Sequence, residues 1–437
     1  MLQDRIATLI QSAADWLFMP WVVGILLGAG LFLSVRTGFV QLRRFGEAWR
    51  IALSGRATGS QGALTPFQAF MTALAASIGT GNIAGVATAI VSGGPGALFW
   101  IWVYGFFATS IKFAEAVLGL RFRDVRGDTV LSGPMYYLRD GLRSPLLAWV
   151  FAFVAAVAAL TTTPFTQPNS MALVLNTVVG VPKIASGVVI AVLTWLVIIG
   201  GVKSIGRAAE RLSPLKVGLY LAGGLIVMVV NAANIPAVLS LVVREAFTMQ
   251  SAIGFGLFTA MRYGIARGIY ANEAGYGTAA VAYGTAQSDR PAQQGLNAVV
   301  EVFVVSFVTS SISAMTILLT GVWQSGLTST AAVAAGFNSV MPLVGGWVVA
   351  FCTFLFGYTT LIGWAYYGEQ FFEYILGRKV TVPYRWIYCL LIPFGAVSRV
   401  EVVWAWGDLM NVLQVFPNLI GIIGLSGIVA KVARDRA

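Results

Sequence analysis

The chain has 437 residues, of which 58% are hydrophobic and 10% are charged, with a mean hydropathy of +0.81. This balance excludes an ordinary soluble domain and predicts an all-α, multi-pass protein of the cell membrane. Histidine is absent, so histidine-based metal, haem and proton-relay sites lack their usual residue. The two cysteines, Cys352 and Cys389, lie in apolar segments and form no metal or redox pattern.

Apolar runs of about 20 residues predict transmembrane helices. Taken in chain order, the eleven runs cover residues 16–35, 65–91, 96–120, 146–178, 184–202, 212–232, 250–286, 294–322, 346–367, 385–398 and 402–430. The first run follows the acidic residue Asp15 and is not followed by a small-residue cleavage site. We therefore expect it to remain as a span rather than to be removed as a signal peptide.

The basic residues predict the orientation, because cytoplasmic loops are rich in Lys and Arg. With the N-terminus outside, 21 of the 28 Lys and Arg residues, Lys216 among them, are assigned to cytoplasmic loops or the C-terminal tail. We therefore predict an external N-terminus and a cytoplasmic C-terminus. Topology and contact with anionic membrane lipid also explain the net charge of +11, and no nucleic-acid partner is expected.

A glycine motif recurs in the second and seventh runs. The sequence SIGTGNIAG occupies residues 77–85 and AGYGTAAV occupies residues 274–281, and both contain G-x-G-x-x-A. Taken alone, small residues at this spacing favour close helix packing. Their polar neighbours and their corresponding places in the two halves favour broken helices instead, which membrane proteins tolerate only around a cavity or inside protein.

The recurrence predicts an inverted repeat. Residues 64–232 are expected to form a first repeat of five helices and residues 247–430 a second, inverted one. An additional transmembrane helix within residues 1–36 precedes the repeats, and residues 431–437 form a cytoplasmic tail.

Seven segments, in order along nearly the whole chain, carry a family resemblance. They are GFVQLRRFGEAWR (38–50), TPFQAFMTALAASIGTGNIAGVATAI (65–90), GGPGALFWIWV (93–103), SGPMYYL (132–138), NEAGYG (272–277), TTLIGWAYYGE (359–369) and PNLIGIIGLSG (417–427). On these motifs the chain resembles the alanine/glycine:cation symporter (sodium:alanine symporter) family of inverted-repeat transporters. The resemblance implies a leucine-transporter-like 5+5 fold and sodium- or proton-coupled uptake of small neutral amino acids, with alanine and glycine first.

The first break suits an amino acid zwitterion, because a half-helix offers amides to a carboxylate and free carbonyls to an ammonium group. We expect the substrate carboxylate to bind the amides of Gly79, Thr80 and Gly81. Asn82 is expected to hold the break or to line the site.

Three further residues complete the expected substrate site. Gln167, in a polar run that resembles a family Q-x-N-S element, is expected to bond the substrate or to brace the broken helix. Tyr270 resembles a family aromatic residue that closes a small pocket, with interior packing as the alternative. Asn272 adjoins the second break.

Similarity to the fold also implies a cation site. The carbonyls of Ala75 and Ile78 and the hydroxyls of Thr359 and Thr360 are expected to bind sodium as the coupling ion, with a proton as the alternative. Taken alone, the threonine pair favours hydrogen bonds to its own helix backbone.

Carboxylates inside a membrane usually serve function or pair internally. The spacing places Lys112 beside Glu115, Arg267 and Arg262 are close to Glu273 in sequence, and Asp408 lies in the segment WGDLMN. All three carboxylates are expected in structural ion pairs.

A family acid in the pattern F-I-D-T is replaced here by Val305, and Glu301, one turn earlier, is its candidate substitute. This departure leaves the number and identity of the cations open. The competing classes are a channel and a non-transporting membrane subunit. A channel needs a continuous polar lining, which the sequence does not supply. A haem or quinone enzyme needs axial histidines or clustered polar ligands, and histidine is absent, so we expect a transporter and not an enzyme.

Overall fold

The computed structural model describes residues 12, 16, 21–54, 60–126, 129–249 and 256–435, and the described chain is predominantly α-helical. The helices and strands of the first half are α1 Val23–Arg36, α2 Val40–Arg43, α3 Phe45–Ser54, α4 Pro66–Ser77, α5 Ala84–Gly93, α6 Ala97–Arg121, the antiparallel pair β1 Asp124–Arg126 and β2 Thr129–Leu131, α7 Pro134–Tyr136, α8 Pro145–Thr161, α9 Thr163–Val179, α10 Lys183–Ile198, α11 Gly201–Val230 and α12 Ile235–Phe247.

The second half is built in the same way, from long helices and short connections. Its helices are α13 Leu257–Asn272, α14 Thr278–Gly284, α15 Pro291–Val302, α16 Ser310–Leu319, α17 Ser329–Val340, α18 Gly345–Leu376, α19 Thr381–Val397, α20 Val400–Gly424 and α21 Ser426–Arg434. Short 3₁₀ or π turns cover 80–82, 137–141, 232–234, 303–309, 322–324 and 378–380.

Each of the eleven predicted runs contains helix, which confirms the predicted all-α class. In the described part of the chain, six helices are long and apolar enough to cross a membrane, and two bent helix pairs raise this number to eight. The beginnings of the first and seventh runs and the last two residues of the predicted tail lie outside the described residues.

Two predicted boundaries are wrong. Helix α11 begins at Gly201 rather than at residue 212, so the basic residues assigned to the loop before the sixth span lie on a helix. The eleventh run is not one helix, because α20 and α21 meet at a bend of 60°. Helix α21 extends to Arg434, into the segment predicted as a tail.

The first break follows from a strong helix start and a glycine-rich end. Thr65 and Gln68 form a reciprocal capping box at the start of α4, with Pro66 in the first turn. The helix ends at Ser77, and Gly79 is extended before a 3₁₀ turn over residues 80–82 leads into α5. The axes of the two halves differ by 59°. The glycine motif therefore breaks the helix, as the sequence predicts.

The second break lies between α13 and α14. Glu273, Gly275 and Gly277 adopt positive φ angles of 57°, 96° and 81°, a conformation that glycine adopts with least strain. Helix α13 packs against α5, whereas α14 packs against α4. Because the first half of each broken helix contacts the second half of the other, the two run antiparallel. This arrangement is the one that an inverted repeat requires, although the extent of the repeat stays a prediction.

The carboxylate of Glu115 holds the second break together. Its Oε1 accepts hydrogen bonds from the amides of Gly275 and Gly277, at 2.8 and 3.1 Å, and from Asn418 Nδ2 at 2.9 Å. The expected ion pair between Glu115 and Lys112 is therefore wrong, because Lys112 pairs with Glu301 instead. An acid on α6 supplies the acceptor that these two backbone amides would otherwise lack.

We predict that Glu115→Ala destabilises the protein by about 2 kcal/mol or more, because it leaves two buried amides without an acceptor. Thermal unfolding of the purified protein in detergent micelles measures this loss. Glu115→Gln is the matched control, since its amide oxygen still accepts, and it should lose less. Equal stability of the two variants would show that these hydrogen bonds do not hold the break.

Candidate functional site

A small cavity lies where the two broken helices meet. Five of the predicted site residues line it, namely Gly79, Gly81, Gln167, Tyr270 and Thr360. The other lining residues were not predicted as site residues: Ala76, Ser77, Thr162, Thr163, Glu273, Tyr276, Trp364 and Asn411. Thr80, Asn82 and Asn272 lie outside this lining and contribute to the breaks themselves.

The glycines of the first break allow two side chains to approach the backbone. A Cβ atom on Gly79 would lie 2.7 Å from Thr360 Oγ1, and one on Gly81 would lie 2.5 Å from the ring of Tyr270. The Tyr270 hydroxyl donates to Thr166 Oγ1 at 3.1 Å, and its ring lies 5.0 Å from that of Trp404. Tyr270 is therefore fixed from both ends and forms one wall of the cavity over Gly81.

Gln167 braces the first break and also lines the cavity. Its Oε1 accepts from both the amide and the hydroxyl of Thr80, each at 3.0 Å. The side chain is buried, and its Nε2 has one long contact of 3.5 Å to Thr166 Oγ1. Both expected roles are thus compatible, because the oxygen binds the helix while the amide nitrogen retains donor capacity.

The three amides expected to bind a carboxylate differ in whether they already have a hydrogen-bond acceptor. The amide of Gly79 donates to Ser77 O at 3.0 Å, and that of Thr80 donates to Gln167. Only the Gly81 amide of these three has no hydrogen-bond acceptor among the described residues. Asn82 holds the break, since its Nδ2 donates to Ser77 O at 3.1 Å and its Oδ1 accepts from α16 and the turn before it.

Asn272 closes the end of α13 rather than facing the cavity. Its Oδ1 accepts from the amide of Ala274 at 3.0 Å, and its Nδ2 donates to Ser306 Oγ at 3.1 Å. Its expected direct contact with a substrate is not seen in the lining, and the residue orders the second break instead.

Glu273 gives the cavity an acidic group. It accepts from Trp364 Nε1 at 2.6 Å and from Thr278 Oγ1 at 3.0 Å. The expected pairing of Glu273 with Arg267 is wrong, because Arg267 forms its ion pair with Asp408 at 3.0 Å. The carboxylate of Glu273 is held by neutral donors and faces the cavity.

Lys112 joins the two breaks. Its ammonium donates to Ser77 Oγ at 2.9 Å at the end of α4 and to Asn272 O at 2.6 Å at the end of α13. It also pairs with Glu301 at 2.5 Å, and Glu301 accepts from Ser77 and from the Tyr283 hydroxyl. Glu301, the candidate substitute for the missing family acid, thus contacts the first break, whereas Val305 is buried without such a group.

Lys216 lies among the predicted sodium ligands. Its ammonium donates to Ile78 O at 2.7 Å, Ala75 O at 3.1 Å and Thr359 Oγ1 at 2.6 Å. A longer contact of 3.4 Å reaches Leu74 O. Three of the four expected ligands therefore come together as predicted, and they surround a lysine ammonium.

The fourth expected ligand, Thr360, is engaged elsewhere. Its hydroxyl donates to Ala76 O at 2.9 Å and Ala75 O at 3.2 Å, both on α4. Thr360 thus bonds the broken helix from α18, whereas Thr359 accepts from Lys216 and donates to its own helix at Phe356 O, 3.1 Å away. Thr360 links α18 to the carbonyl end of α4 directly, and Thr359 does so through the Lys216 ammonium.

Sequence reasoning missed Lys216 because the residue was counted with the basic residues of a loop. It lies inside the predicted sixth span, in the apolar segment SPLKVGLYLAGG at residues 213–224, and it is fully buried in α11. A charged residue within a span is by default a functional candidate, and that signal was available in the sequence.

Solved structures show the same fold. The structure of MhsT in complex with L-phenylalanine aligns with a TM-score of 0.56 and 15% identity, covering 85% of this chain and 100% of that one. A Na⁺-coupled sialic acid symporter aligns with a TM-score of 0.54 and 11% identity, covering 95% of this chain and 86% of that one. These likenesses confirm the predicted leucine-transporter-like fold.

Sequence comparison identifies relatives over the whole length. The sodium/alanine symporter AgcS of Methanococcus maripaludis is 38% identical over 434 residues, which are 97% of this chain and 96% of the relative. The probable sodium/glutamine symporter GlnT of Bacillus subtilis is 33% identical over 441 residues, covering 99% of this chain and 91% of the relative. The model of the sodium:alanine symporter family matches residues 3–436. The chain, a multi-pass membrane protein, therefore belongs to the sodium:alanine symporter family.

Proposed function

We propose that this chain is a secondary active symporter that imports a small neutral amino acid, with alanine and glycine as the first candidates, by alternating access in the cell membrane. The cavity between two antiparallel broken helices is the observation that carries this proposal. Broken helices place backbone donors and acceptors at membrane depth, where they suit a charged or zwitterionic solute. Membership of the family supports the same function.

The polar groups of the cavity match the two ends of an amino acid. The Gly81 amide and Gln167 Nε2 are donors suited to a carboxylate, whereas the carboxylate of Glu273 is an acceptor suited to an ammonium group. A neutral amino acid carries both charges close together. A site with donors on one side and an acid on the other therefore favours a zwitterion over a simple anion or cation.

The walls of the cavity favour a small side chain. The ring of Tyr270 lies directly over Gly81, and Trp364 and Tyr276 add further aromatic surface. The free space between these walls is about 10 Å³, which is room for about one water molecule. Glycine and alanine add the least volume beyond the shared amino and carboxylate groups.

Sodium and protons are the two candidate coupling cations. The names of the family and of two relatives favour sodium. The residues do not fit sodium at the predicted ligands, however, because the Lys216 ammonium lies between the same oxygens. Two unit charges about 4 Å apart repel by about 4 kcal/mol at an effective dielectric constant of about 20. The driving cation is therefore to be decided by transport measurements.

We predict saturable, gradient-driven uptake of labelled alanine and glycine into proteoliposomes. A potential of 100 mV supplies about 2.3 kcal/mol per charge, so one co-transported cation can concentrate the zwitterion about fifty-fold. Separate imposed sodium and proton gradients identify the driving cation, and a panel of larger neutral amino acids tests the size limit. Linear uptake without accumulation would point to a channel, and absence of uptake and binding would point to a non-transporting subunit.

We predict that Gly81→Ala weakens alanine binding about tenfold or more. The added methyl group would displace the Tyr270 ring and fill the space beside the free amide. Calorimetry on the purified variant measures the affinity. Gly85→Ala is the matched control, because a Cβ atom there meets only Arg267 Cδ, at 3.4 Å, and its affinity should stay near that of the wild type. Equal affinities of the two variants would place the substrate elsewhere.

We predict that Gln167→Ala weakens substrate binding by about 1–3 kcal/mol, because it removes the acceptor of the buried Thr80 amide and a donor in the cavity. The exposed Asn176 lies on the same helix α9, so Asn176→Ala should bind like the wild type. Binding and thermal unfolding are measured together for both variants. Unchanged affinity of Gln167→Ala would limit this residue to packing.

A further inference from the structure

We propose that the ammonium group of Lys216 takes the place of a coupling sodium ion at the first helix break, so that this position binds no sodium in this chain. The inference rests on the proposed symporter function. It differs from what the names of the family and of its relatives suggest, and it comes from the contacts of one side chain on α11.

The partners of Lys216 are oxygens of the kind that a sodium ion would need. Two are carbonyls at the end of α4 that the break leaves without helical partners, Ala75 and Ile78, and the third is the hydroxyl of Thr359 on α18. These are three of the four ligands that the fold resemblance assigns to sodium. The ammonium reaches them at 2.6–3.1 Å and lies between the two helices that the ion would join.

The Lys216 ammonium is bound by neutral oxygens, as a sodium ion would be at this position. Among the described residues no carboxylate lies within ion-pairing distance of its Nζ, in contrast to Lys112, which pairs with Glu301. The ring of Phe356 lies 5.5 Å from the Nζ and adds a further favourable contact for a cation. The positive charge is therefore placed against the carbonyl end of α4, where the helix dipole favours a cation.

Side chains on both sides of Lys216 anchor α11 to its neighbours. Ser213, three residues earlier on the same face, donates to Met71 O on α4 at 3.1 Å, and Tyr220, four residues later, bonds Ser313 of α16. The Lys216 side chain is fully buried between these anchors. A sodium ion at the same oxygens would have to displace a tethered ammonium, so the tether excludes the ion.

The test compares sodium responses in the wild type and in variants of the ligand set. Thermal unfolding and alanine affinity are measured on purified full-length protein in sodium chloride and in choline chloride at equal concentration. In the wild type, any response to sodium should be independent of Thr359, so Thr359→Val should respond to sodium as the wild type does. Lys216→Ala should gain a sodium-dependent rise in unfolding temperature and bind alanine about tenfold more tightly in sodium than in choline.

Two further variants locate the response. Adding Thr359→Val to Lys216→Ala should remove the gained sodium response, because it deletes a ligand. Lys203→Ala changes an exposed lysine of the same helix and should behave like the wild type. The unfolding temperature and the alanine affinity are each compared between the two salts, so neither readout depends on the transport rate.

Two results would overturn the proposal. The first is a wild-type sodium response that Thr359→Val abolishes, which would place sodium at these oxygens despite the lysine. This result needs only variants that retain Lys216, so it decides the question even where Lys216→Ala does not fold. The second is a folded Lys216→Ala variant that responds to sodium no more than the wild type. Failure of the symporter function itself is recognised separately, as absence of alanine binding in both salts, while the unfolding temperatures still report on the sodium site.

Discussion

Backbone groups freed inside a membrane must find partners, and this requirement controls the centre of the molecule. Each break removes helical hydrogen bonds from several residues at once. The chain satisfies them with side chains from distant helices: Glu115 for the amides of the second break, Gln167 for an amide of the first, and Lys216 for two of its carbonyls. The broken helices persist because these side chains replace the water that the bilayer excludes.

The charges at the breaks follow the direction of the helices. The carbonyl ends of α4 and α13 are met by the ammonium groups of Lys216 and Lys112, whereas the amides before α14 are met by the carboxylate of Glu115. This distribution agrees with the helix dipole, which favours cations at carbonyl ends and anions at amide ends. Lys112 in addition contacts both breaks, so the two broken helices are held in one polar network.

The cavity is lined by the polar groups that the hydrogen bonds within the breaks leave available. Gln167 uses its oxygen on Thr80, and its amide nitrogen retains donor capacity. Of the three amides expected to bind a carboxylate, the one at Gly81 has no acceptor in the described part of the chain. Glu273 is supported by neutral donors and not by an arginine. Donors on one side and an acid on the other therefore stay available to a zwitterion, while the close approach of Tyr270 limits its size.

The sequence by itself determined the membrane class, the helical runs, the family resemblance and the two helix breaks, because hydropathy and short motifs are local signals. Only the tertiary structure decided which side chains complete the breaks. Glu115 was expected to pair with Lys112, three residues away, but it bonds amides some 160 positions later in the chain. Likewise Lys216 was counted among loop cations, although it reaches the carbonyls of α4. Neither partner is readable from spacing along one helix, because contacts between helices depend on how the helices pack and on which backbone groups the breaks expose.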